Sequence, residues 1–175
     1  MFRIVSITSL AAALSCAALW APPAEAGRLH VSQANADGAT RSATGVVRRG
    51  PNGGAAARGR VVTSDGQGNA SAKSAAALRG PNGGVARRAG TTSVAADGSA
   101  SHQSGLSASG SQGSINSSGS ATRDASGNVT QSRSTTATSS ATGNSVQSST
   151  SYNSGSDVTH SATCFDASGA TIACR

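Results

Sequence analysis

The chain has 175 residues, 22 of them Gly, with 2% aromatic and 12% charged side chains and a net charge of +7. Ser and Ala number 32 and 34. After residue 26 only 17 larger apolar residues remain, from Leu29 to Ile172. That is about half of what a packed domain carries, which excludes a conventional core and an ordinary enzyme fold. Order, where it exists, must come from repetitive backbone hydrogen bonding rather than burial.

Residues 1–26 read as a secretory signal peptide. Arg3 supplies the positive start, and Ile4 to Trp20 form the apolar stretch. Pro22 and Pro23 end it, and Ala24-Glu25-Ala26 is a small-x-small cleavage site. Ala13-Leu14-Ser15-Cys16 resembles a lipobox with its Leu one place late, so cleavage after Ala26 is preferred to lipidation at Cys16. The expected product is residues 27–175, secreted, periplasmic or at the cell surface, with no membrane-spanning segment left after cleavage. Two cysteines remain in it, Cys164 and Cys174, and an even pair in an exported chain predicts one disulfide.

From there the chain is punctuated by glycine. Turn signals end at Gly38, Gly53, Gly66, Gly83, Gly98, Gly113, Gly127, Gly143, Gly155 and Gly169. A turn about every 15 residues predicts an all-β fold, either an antiparallel meander or a β-solenoid-like repeat. Arg49-Gly50-Pro51-Asn52-Gly53-Gly54 recurs 30 residues later as Arg79-Gly80-Pro81-Asn82-Gly83-Gly84. The six Asp residues after the signal lie at or beside the turns, which assigns them to turn chemistry and away from a catalytic cluster. Between turns the alternation puts Val146, Ser148, Thr150 and Tyr152 on one side of a strand. Thr130, Ser132, Ser134, Thr136 and Thr138 likewise share a side. The last hairpin, with Phe165 and Ile172 flanking Asp166-Ala167-Ser168-Gly169, is expected to be a disulfide-stapled cap.

Charge divides the chain in two. Residues 27–90 hold ten bases against Asp37 and Asp65, or +8. Residues 91–175 hold three bases against four Asp, or −1. The basic part, rich in Gly, Ala and Arg, is either β-repeat or disordered; the Ser/Thr/Gly-rich part is β-repeat. Arg48, Arg49, Arg58, Arg60, Arg79, Arg87 and Arg88 are the candidate polyanion-binding residues, because arginine suits bidentate contact with phosphate or carboxylate. The alternative is that scattered arginine keeps a Gly/Ala-rich chain soluble and blocks edge pairing. No aromatic residue lies among the bases, so base-stacking platforms are missing.

No catalytic motif is present. Asp157, His160 and Ser161 form the one local trio, but neighbouring strand residues point to opposite sides. Catalytic residues, metal ligands, cofactors and a small-molecule substrate are therefore not expected. Flat Thr/Ser faces binding an ordered surface is a third reading, set aside because the Thr spacing is irregular.

Gly66-Gln67-Gly68-Asn69, Gly127-Asn128 with Gln131, and Gly143-Asn144 with Gln147 resemble the repeats of curlin-like bacterial fibre subunits, although the Asn-to-Gln and repeat spacings here are shorter. The resemblance implies a self-associating extracellular β protein. The expected function is thus a non-enzymatic structural or interaction protein of the bacterial surface or matrix. The alternative is a polyanion-binding module acting through residues 28–90 on DNA, acidic polysaccharide or lipopolysaccharide.

Overall fold

The structure, a computed structural model, describes residues 26–50 and 52–174. The signal segment before Ala26 and the Cys16 question lie outside the described residues.

Eleven strands follow one another: β1 (Gly27–Ala34), β2 (Thr40–Arg49), β3 (Ala55–Ser64), β4 (Ala70–Arg79), β5 (Val85–Val94), β6 (Ala100–Gly110), β7 (Gly113–Arg123), β8 (Val129–Ser139), β9 (Ser145–Asn153), β10 (Thr159–Phe165) and β11 (Thr171–Ile172). Each pairs antiparallel with its sequence neighbours, in the order β1 to β11. The fold is therefore the all-β antiparallel meander, and not a solenoid. Strands of about ten residues at a spacing of about 4.8 Å make an open sheet about 50 Å wide.

The turns explain the strand lengths. All ten punctuating glycines have positive φ, from 71° at Gly143 to 152° at Gly113. The recurrent loop has three residues between its closing pair, with glycine last. The Asp166 N–H donates to the Ala170 carbonyl at 2.9 Å, and the Gly169 N–H to the Asp166 carbonyl at 3.0 Å. The same pattern closes Gly80 to Gly84. These are the three-residue hairpin loops in which a type I turn precedes a left-handed residue, longer than the two-residue turns that Asn-Gly suggests. The aspartates complete them. The Asp124 carboxylate accepts from the Asn128 backbone N–H at 2.9 Å and from its side-chain amide at 2.7 Å.

Residues 27–90 share the sheet. The change in composition near residue 90 falls inside β5, so it alters what the strands carry and not the fold. Order is continuous because ladder hydrogen bonds need no particular side chain.

Among the described residues no second layer covers the sheet. Among the described residues no apolar side chain is buried, and Ser117, at 9% exposure, is the buried polar one. Leu78 is 54% exposed and Val158 62%. Such a sheet rests on its backbone ladders, on cross-strand pairs and on ties between turns. One tie is the bond from the Ala96 N–H to Asn69 Oδ1 at 3.0 Å. Another runs from Arg123 Nη2 to the Gly98 carbonyl at 2.9 Å.

The C-terminal staple is present. Cys164 and Cys174 form a disulfide with 5.4 Å between their Cα atoms. Ile172 pairs with Cys164 while Phe165 pairs with Thr171, so the two apolar side chains lie on opposite faces.

Candidate anion-binding face

Directly paired residues share a face, so the register assigns every strand residue to one side. The front carries Val46, Leu78, Leu106, Ile115, Val146 and the Cys164–Cys174 disulfide. In β6 every front residue but the terminal Gly110 is half-buried and every back residue exposed, whereas in β2 and β3 the back is the more sheltered side. The back of β6 to β10 carries only Ser, Thr, Asn, Gln and Gly until Phe165. Its hydroxyls bond to one another across strands: Ser120 with Ser132 at 2.9 Å, Ser149 with Ser161 at 2.7 Å, Ser151 with Thr159 at 2.6 Å. The sequence alternation predicts each half of this division. The Val146-to-Tyr152 side is the front of β9, and the Thr130-to-Thr138 side is the back of β8.

The seven candidate arginines separate. Arg48, Arg58, Arg60 and Arg88 stand on the front; Arg49, Arg79 and Arg87 stand on the back. They do not form one cluster, because a single-residue step along a strand reverses the side. The front also holds Arg28, which the sequence search passed over. One register row reads Arg28, Val46, Arg58, Ala76, Arg88, Leu106 across β1 to β6. The signal was available, since Arg28, Arg58 and Arg88 are 30 residues apart, the interval of the repeated Arg-Gly-Pro-Asn-Gly-Gly turn. Two turn intervals make one down-and-up pair of strands, so the same residue returns to the same height and side.

Among the described residues no strand carries an acidic side chain. Five of the six described aspartates, Asp37, Asp65, Asp97, Asp124 and Asp157, sit in turns at one end of the sheet. Arg48, Arg49 and Arg79 lie near the other end, beside the Pro-Asn-Gly-Gly turns. The front arginines therefore face outward from a carboxylate-free surface. A concavity of about 360 Å³ lies among them, lined by Ala56, Ala76 and Ala86 with Leu78, Leu106, Arg58 and Arg88. Its floor is shallow because alanine leaves the backbone near the surface.

Hydrogen bonds set the aspartates' ionisation. The Asn69 side-chain amide, then the Gln67 backbone N–H, hold the Asp65 carboxyl below the usual carboxylate range. Asn128 does this for Asp124, and the Ser99 and Ser168 side chains do it for Asp97 and Asp166. A group held ionised as a turn acceptor is poorly suited to shuttle protons.

The trio near the C-terminus is dispersed. His160 Nδ1 is bonded to Thr150 Oγ1 at 2.9 Å on the front, and Ser161 to Ser149 on the back. His102 repeats the arrangement with Thr92 Oγ1 at 2.8 Å. Among the described residues no three His, Cys, Asp or Glu side chains gather as a metal site, and no helix is long and apolar enough to cross a membrane. No family model, curated protein or solved structure matches the chain.

Proposed function

We propose that this is an exported, non-enzymatic structural protein of the bacterial surface or matrix that associates with copies of itself, in the manner the resemblance to curlin-like subunits implies. The supporting observation is the open, single-layer sheet. Among the described residues strand β1 pairs only with β2, and no described strand lies on its outer edge. On the outer side of β10 only Cys164 and Phe165 pair with β11, which leaves Thr159 to Thr163 without a strand partner there among the described residues. Edge strands of this kind template further pairing unless lysine, proline or a bulge blocks them. Strand β1, Gly-Arg-Leu-His-Val-Ser-Gln-Ala, has no lysine or proline. It runs downward and β10 upward, so β1 of a second copy continues the antiparallel alternation beside β10. Contact of that kind joins unlike edges and extends without closing.

The test is assembly of residues 27–175 followed by sedimentation and circular dichroism over a concentration series. Concentration-dependent, β-rich assembly is expected, and it should slow when Leu29 and Val31 are both replaced by lysine. A monomer at every concentration would refute the reading.

The carboxylate-free front favours a second reading, binding of an extracellular polyanion through residues 28–90. Salt-sensitive binding that disappears when residues 28–90 are deleted would support it.

A further inference from the structure

We propose that the row Arg28, Val46, Arg58, Ala76, Arg88, Leu106 is a binding comb for an extended acidic polysaccharide bearing one carboxylate per disaccharide, laid across the strands. The proposal rests on the polyanion reading and names its ligand class and subsites.

The argument is one of spacing. The six residues come from six consecutive strands and pair in register, so all six share the front. Charge and apolar surface alternate strictly along the row. Neighbouring positions lie about 4.8 Å apart, so successive arginines stand about 10 Å apart. An extended chain of equatorially linked pyranoses advances by close to one strand spacing per sugar and two per disaccharide. A carboxylate on every second sugar would meet an arginine each time. The neutral sugar between would rest on Val46, Ala76 or Leu106, whose carbon surfaces suit the C–H face of a pyranose.

Three features sharpen the match. The arginines of the row are exposed, and their strands carry no acid to compete for them. The planar guanidinium fits a carboxylate with two parallel hydrogen bonds. The shallow concavity between Arg58 and Arg88, floored by Ala76 and Ala86, gives room for a flat ring. Duplex DNA fits less well. It carries a phosphate about every 3.4 Å along each strand, finer than the comb.

The experiment uses the chain of residues 27–175 and three probes at low and physiological salt. They are an alternating glucuronate–N-acetylglucosamine polymer, a homopolyuronate and duplex DNA. The alternating polymer should bind best. The triple variant Arg28→Gln, Arg58→Gln, Arg88→Gln should weaken it by about tenfold. The back-face control Arg41→Gln, Arg79→Gln, Arg87→Gln removes the same charge and should change it less than about threefold. The same three front positions changed to lysine should recover part of the loss, and unchanged circular dichroism establishes that each variant folds. If both triple variants lose equally, or if homopolyuronate or DNA binds as tightly, the comb is overturned while the polyanion reading stands. If no probe binds at low salt, both fail.

Discussion

Replacing Gly113 by alanine puts the account of the turns under the greatest strain. Gly113 opens β7 after the shortest connection in the sheet, with only Ser111 and Gln112 between it and β6. Its φ is 152°, and a Cβ built there would lie 2.1 Å from the Thr138 carbonyl oxygen and 3.3 Å from Ser139 Cα. Both obstacles belong to the backbone of β8, so no side chain can rotate away. Alanine there takes on the strain of a region reserved for glycine, about 1–3 kcal/mol. It must also displace the end of the β7–β8 ladder, which forfeits about 1 kcal/mol per hydrogen bond. The expected loss is about 2–4 kcal/mol. Gly127 is the control. Its φ is 90°, but nothing lies within 4 Å of its Cβ position, so Gly127→Ala should cost only the left-handed strain of about 1–2 kcal/mol. Residue-resolved amide exchange on both variants measures the difference. For Gly113→Ala the lost protection should centre on the β6–β7–β8 ends. The reasoning is refuted if Gly113→Ala matches the parent within about 0.5 kcal/mol, or costs less than Gly127→Ala.

Other outcomes follow from the same structure. Leu78 is 54% exposed, so Leu78→Ala in dilute monomer should cost about 1 kcal/mol or less, against about 2–5 for a core leucine; a larger loss in urea unfolding would reveal a covering layer. Replacing Cys164 and Cys174 by serine opens a loop with a sequence separation of 10, worth about 2–3 kcal/mol. Exchange should rise in β10 and β11 and stay unchanged in β2 to β6, because among the described residues no second layer carries the effect across. Acid should loosen the turns. The carboxyls of Asp65, Asp97, Asp124 and Asp166 are depressed in the fold, so their stabilisation is present above the unfolded value of about 3.9 and is lost as pH falls through the lower folded values. The Asn69 and Asn128 amide signals should shift below about pH 4, and signals flat from neutral pH to pH 2 would contradict this.

The turns, the strand lengths and the disulfide were legible in the sequence because each depends on local chemistry. A positive φ needs glycine, and an aspartate two to four residues before a free N–H makes a loop acceptor. What was not legible is which residues of different strands share a face. That depends on the number of residues in every loop passed. The β6–β7 connection has two residues, whereas most of the others have five, and front residues change from even numbers in β6 to odd in β7. From β1 to β6 the five-residue loops keep even and odd positions on separate sides, so Arg58 and Arg87, both basic and both in the same region, fall on opposite sides, while Arg28, 30 residues before Arg58, joins it. Composition pointed to disorder as an alternative for residues 27–90, because counts of large side chains do not register ladder bonding, which the small residues of β3 and β4 share equally with the rest.

With no apolar side chain buried among the described residues, one continuous antiparallel ladder orders the sheet. Amide hydrogen exchange on residues 27–175 tests it most directly. The account predicts protected amides throughout β2 to β9, fast exchange at the turn residues, and alternating protection in β1, where every second amide faces the open edge. Uniformly fast, random-coil exchange between Gly27 and Cys174 would contradict it.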